Sequence, residues 1–173
     1  MKNQPIKLFI LSIIFILSFN EVNAQDKCKY SFDKEDPMTN ERVRRNYIKG
    51  KPFFQFAFYR KADDFRFETL LKFNGTQEFI VPKGQEMNIK LGNGDVIIVL
   101  NADAATPNSY VSGPQVMTNY SMSYFATKEQ MELMAKHGIS VVATHLGNKT
   151  YTLEFKEKNL EKDKAKIACM LVD

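Results

Sequence analysis

Two histidines, two cysteines and a pair of adjacent aspartates are the side chains of this chain best suited to chemistry. His137 and His145 are its only histidines, and imidazole is the one side chain that ordinarily titrates near neutral pH. Their spacing does not put both on one face of a helix at i and i+4, and no H-E-x-x-H occurs, so a zinc site of that kind is not expected. Neither lies beside a G-x-S-x-G elbow, no P-loop is present, and Gly92-Asn93-Gly94 lacks the third glycine and the helix of a dinucleotide fingerprint. Asp63-Asp64 falls at a turn, where solvation explains the pair better than acid–base catalysis. Met131 and Met134 would suit a copper site only beside a His or Cys at matching spacing, and none stands there; they read as core. No catalytic residue, no cofactor and no metal is therefore expected. A small secreted hydrolase using His145 or His137, with partners distant in sequence, stands as the alternative to a non-enzymatic protein.

Cys28 and Cys169 sit near opposite ends of the chain. Their meaning depends on the compartment, which the N-terminus addresses. Lys2 and Lys7 give a positive start, Leu8 to Phe19 is an apolar run, and Val22-Asn23-Ala24 resembles a peptidase site. That run is shorter than the ~20 apolar residues a membrane-spanning helix needs. The reading is a signal peptide over 1–24 and a single exported domain over 25–173, periplasmic or secreted. No second run has spanning length, so no transmembrane segment is expected in the mature chain. Cys28 is not placed directly after the cleavage site, as a lipid-anchored protein requires. In an oxidising compartment two thiols are expected to pair. The competing reading makes Cys169 a small buried apolar residue on a helix.

Charge excludes one class of partner. The chain carries a net +4, and losing Lys2, Lys7 and Glu21 with the leader leaves +3. Acids and bases alternate along most of the sequence, unlike the clustered basic face of a nucleic-acid binder. No nucleic-acid partner is expected; an envelope protein or a glycan is. The local cluster Arg42, Arg44, Arg45, Lys49 and Lys51 reads either as an anion or polysaccharide contact or as a solvated edge strand.

The elements that would position these groups are mostly strands. Phe53–Arg60 and Phe65–Phe73 alternate around Lys61-Ala62-Asp63-Asp64, placing Phe54, Phe56 and Phe58 on one face and Phe65, Phe67, Thr69, Leu71 and Phe73 on another: a hairpin at the centre of the core. A short first strand is expected over Cys28–Phe32, with Asp33–Thr39 as a connection. Asn93-Gly94 joins a second hairpin, and Val96–Leu100, with no polar face, suggests a strand buried on both sides. Asn101–Pro114 reads as a long irregular loop; if there is a binding surface, its Pro107, Asn108 and Tyr110 are the first candidates. Thr127 and Gln130 form a capping box for a helix that stops at Gly138. Gly147-Asn148 closes a last hairpin, and a helix over Asn159–Leu171 carries Cys169, with Glu161–Lys164 and Asp163–Lys166 pairs on its wet side. The fold class is α+β, mainly antiparallel sheet, hairpin-rich, with about eight strands and two short helices.

Cys28-Lys29-Tyr30, Asp36-Pro37-Met38-Thr39 and Val43-Arg44-Arg45 resemble the opening of a group of small exported proteins of Bacteroidota, in which a Cys-x-Tyr strand leads into an Asp-x-x-Thr turn. Lys83-Gly84, the Gly94 hairpin, the capped helix Thr127–His137 and the final helix with Cys169 extend the likeness. It implies export, one domain and a Cys28–Cys169 bridge. No activity is assigned to that group, so it carries no active residues.

Overall fold

The computed structural model describes residues 28–172; the expected leader lies outside them. All strand pairings are antiparallel and join ten strands into one sheet. In chain order the elements are β1 (Phe32–Glu35), β2 (Arg42–Lys51), β3 (Phe54–Lys61), β4 (Asp64–Asn74), β5 (Glu86–Leu91), β6 (Val96–Asn101), β7 (Asn108–Ser112), β8 (Gln115–Ala126), α1 (Lys128–His137), β9 (Ile139–Leu146), β10 (Lys149–Glu154) and α2 (Leu160–Leu171). Across the sheet the order is β1-β2-β3-β4-β8-β6-β5-β9-β10, with β7 also pairing β8.

Alternation of apolar and polar residues decides the faces. Phe54, Phe56 and Phe58 of β3 and Phe65, Phe67, Thr69 and Leu71 of β4 are buried, and the register sets Phe58 opposite Phe67. Their rings meet edge-on at 5.1 Å, while Phe56 and Phe67 stack at 5.4 Å. Such pairs add about 0.5–1.5 kcal/mol beyond the area they bury. The sheet curls far enough for its β10 end to pack over interior strands: Phe73 of β4 meets Tyr151 of β10 at 5.1 Å, and Phe56 of β3 meets Phe155, just after β10, at 6.1 Å.

Helix α1 starts where the capping box places it, with Thr127 accepting from the Gln130 N–H and the Gln130 side chain accepting from the Thr127 N–H. Its stop falls at Gly138, as expected. Gly138 has φ 72° and ψ 169°, outside the left-handed helical well, in a region that essentially only glycine enters. A Cβ there would collide with Leu160 Cδ1, so this glycine also lets α2 approach.

Helix α2 lies across β2 and β3. The two cysteines are bonded, with Cα atoms 5.5 Å apart, and Tyr30 Oη donates to the Cys169 carbonyl at 2.6 Å. The C-terminal carbonyls of α2 are capped by guanidiniums from the sheet. Arg60 Nη1 donates to Met170 O at 3.0 Å and Val172 O at 2.9 Å, and Arg44 donates to Val172 O. Both arginines are buried and face each other across β2 and β3. Like charges in register repel; the negative end of the helix dipole offsets that cost.

The structure corrects several expectations from the sequence. The first strand begins at Phe32, where Cys28–Phe32 was the expected span, and it runs into the stretch expected to be a connection because Asp33 pairs with Arg42 on β2 at 2.7 Å. Arg44 is buried rather than part of a solvated edge. Val96, Ile98 and Leu100 are half exposed and only Ile97, Val99 and Asn101 are buried, so β6 has one wet face despite its uniformly apolar sequence. β7 occupies part of the expected loop, since the twelve-residue β8 extends beyond its pairing with β6 and takes Asn108–Ser112 as a further partner. Glu161 and Lys164 do pair, at 3.1 Å, but Asp163 is buried and makes no pair with Lys166.

Candidate functional site

The outer face of the sheet, opposite the phenylalanine core, holds a concave trough of about 440 Å³, within the range of small-ligand sites. Period two places its residues. In β2, Arg45 and Tyr47 point outward between buried Arg44, Asn46 and Ile48; in β4, Glu68 does so between Phe67 and Thr69; in β8, Ser121 and Ser123 alternate with Tyr120, Met122 and Tyr124. Register brings them together, for Ala57 lies opposite Tyr47 on one side and Glu68 on the other, and Glu68 lies opposite Ser123. Ala57, Ser121 and Ser123 are small, which leaves the floor low. Gln55, opposite Leu70, which in turn faces Ser121, closes one end.

The far wall comes from the connection after β6. Asn101 is buried and donates from Nδ2 to Pro82 O at 3.3 Å and Asp103 O at 2.5 Å. Ala102 N–H donates to Ser123 O at 2.7 Å, and Val81 and Ala105 exchange two backbone bonds at 2.9 Å. This clamp holds Asp103 and Ala104 over the trough.

Its electrostatics centre on one ion pair. Arg45 Nη2 donates to Glu68 Oε1 at 2.9 Å, and Nε lies 2.9 Å from Oε2 without forming a hydrogen bond there. Burial works against the Arg45 charge, but Glu68 and the Tyr47 hydroxyl outweigh it and hold its pKa above the ordinary guanidinium value. The guanidinium also lies over the Tyr59 ring at 5.8 Å. Donors and acceptors thus converge on a floor with little side-chain bulk, beside Tyr47, whose ring is half exposed. The arrangement suits a ligand rich in hydroxyls, which both donate and accept.

The sequence-predicted residues lie elsewhere. His145 is exposed on the last hairpin, its Nδ1 2.9 Å from Thr150 Oγ1, and neither it nor His137 lines the trough. Pro107 precedes β7, while Asn108 and Tyr110 lie within it, opposite Asn119 and Met117; none of the three borders the trough, although Asp103 and Ala104 of the same segment do. Among the described residues no group of three His, Cys, Asp or Glu is placed to hold a metal. No described helix is long and apolar enough to cross a membrane. Of the trough residues, only Arg45 stands out in the sequence, within the basic cluster. The outward-facing serines of β8 carry no signal without its register to β4. No family model matches this chain, and neither a curated protein nor a solved structure matches it.

Proposed function

We propose that this is an exported, non-enzymatic binding protein of the cell envelope or exterior, and that the trough on its outer sheet face takes a short stretch of a hydroxyl-rich glycan. The observation that carries this reading is the convergence of Glu68, Asp103, Gln55, Ser121 and Ser123 on a preformed concavity with the Tyr47 ring at its edge. Export is supported by the leader-like N-terminus and by the bond between Cys28 and Cys169, a pairing that persists in oxidising compartments.

The test is an array of envelope and capsular oligosaccharides probed with the mature chain and with Ser121→Trp. Ser121 is exposed on a strand, so an indole there fills the trough while suiting the sheet. Retention of one or more glycans by the parent protein, with loss of about tenfold or more in affinity in the variant and an unchanged melting temperature, is the expected result. Equal binding by both proteins, or capture of an envelope protein with no glycan retained, would count against it.

A further inference from the structure

A second concavity lies on another part of the molecule, where the connection after β10 meets the start of α2 and the end of β2. Its volume is about 520 Å³. Lys51, Lys156, Lys158, Lys162 and Lys166 all line it, against the carboxylates of Glu154 and Asp163. Helical periodicity gathers part of this set, since Lys162 and Lys166 are one turn apart on α2. Elsewhere Arg42, Arg44, Arg45, Lys61, Arg66 and Lys164 each lie within 4.0 Å of a carboxylate. Lys166 is committed to the Tyr47 carbonyl at 2.6 Å. Lys51, Lys156, Lys158 and Lys162 have no carboxylate within that distance among the described residues. Four ammonium groups around one hollow raise the local concentration of anions.

Asp163 adds a second requirement. It is 8% exposed, lines the groove, and has neither a hydrogen bond nor an ion pair among the described residues. Burial raises its pKa, with Lys166 and Lys162 acting in the opposite direction. Its carboxylate oxygens open onto the groove rather than being sealed in the core, where they can accept from a donor such as a hydroxyl.

We propose that this groove binds an acidic polysaccharide, its repeated negative charges lying against Lys51, Lys156, Lys158 and Lys162 and a sugar hydroxyl donating to the Asp163 carboxylate. A simple polyanion satisfies the lysines but not Asp163, and a neutral sugar does the reverse. The site shares no lining residue with the trough, so the two readings stand or fall separately.

The test is fluorescence anisotropy on the mature protein with labelled hexagalacturonate, using maltohexaose and tripolyphosphate as competitors. Lys158→Glu/Lys162→Glu changes two exposed residues and leaves the core alone. It is expected to weaken hexagalacturonate about tenfold or more, while Ser121→Trp leaves that affinity unchanged. Asp163→Asn is expected to weaken hexagalacturonate severalfold without weakening tripolyphosphate, with the melting temperature checking that it folds. Maltohexaose should not compete. Absence of hexagalacturonate binding, binding indifferent to the lysine reversal, competition by maltohexaose, or equal affinity for tripolyphosphate with no effect of Asp163→Asn would each overturn the proposal.

Discussion

Ala62 holds a positive φ of 50° because the two-residue link between β3 and β4 must twist with its strands, and such links use left-handed positions. An L-residue with a Cβ is disfavoured there by about 1–2 kcal/mol; Arg60 Nε, donating to Ala62 O at 2.7 Å, helps hold it. Ala62→Gly should therefore stabilise the protein by about 1 kcal/mol after the added freedom of the unfolded chain is subtracted, read as a rightward shift of the urea midpoint. No shift, or a leftward one, would mean that the turn is not strained. Asp36 shows a second local effect. Lys61 Nζ lies 2.8 Å from its carboxylate and the Met38 N–H donates to it at 2.9 Å, and these bonds lower its pKa to about 2. Its folded pKa is below the ordinary aspartate value of about 3.9, so its stabilisation is present above about pH 4 and lost as pH falls through about 2. Asp33, held down by Arg42, acts in the same direction. Asp163, raised by burial, acts in the opposite one, contributing at low pH and losing that contribution as pH rises through its folded value. Melting temperature against pH should drop more gently on the acid side in Asp36→Asn; an identical acid limb would assign that loss to other groups.

Among the elements, α2 depends on groups that its own sequence does not provide. Its last carbonyls are satisfied by Arg60 and Arg44 from neighbouring strands. Replacing Arg60 by Met should cost about 2 kcal/mol, since buried carbonyls lose charged donors, and Arg60→Lys should recover only part because an ammonium lacks the planar fork. Chemical denaturation measures both; a neutral Arg60→Met would show that relief of repulsion from Arg44 balances the lost bonds. This dependence also explains what could be read in the sequence. The β3–β4 hairpin, the Asn93-Gly94 and Gly147-Asn148 turns and the capping box of α1 are local, set by alternation and turn chemistry within a few residues. By contrast, β7 is a strand of Asn, Ser, Tyr and Val that exists because β8 has an edge left to pair, and β6 keeps Val96, Ile98 and Leu100 half exposed, which its composition hides. The basic run at Arg42–Arg45 holds an exposed ion pair, a buried helix cap and a trough residue; alternation separates only the last, and position along the strand relative to α2 separates the other two. The trough is still less legible, because it needs the registers of β2, β3, β4 and β8 together with a clamp at Asn101.

At the scale of the molecule, one bond joins the two ends of the described chain across a sequence separation of 141 residues. In the chain-entropy view a loop of that length stabilises the fold by about 4–5 kcal/mol. Reduction should lower the melting temperature by about 10 °C or more for a domain of this size. An unchanged transition in protein whose mass shows two free thiols would mean that α2 is held by packing and the arginine caps alone. The curled sheet leaves two separate concavities, one lined by hydroxyls, two carboxylates and Arg45, the other by five lysines, each completed by a connection packed against its strands or helix.

The most direct measurement is a residue-resolved NMR titration of the oxidised mature protein with an oligosaccharide retained on the array. The amide shifts are expected to concentrate at Arg45, Tyr47, Gln55, Glu68, Ser121 and Ser123, and to vanish in Ser121→Trp. Shifts centred instead on His137 or His145, or on Asn108 and Tyr110 of β7, would place ligand recognition elsewhere and contradict the trough as the binding site.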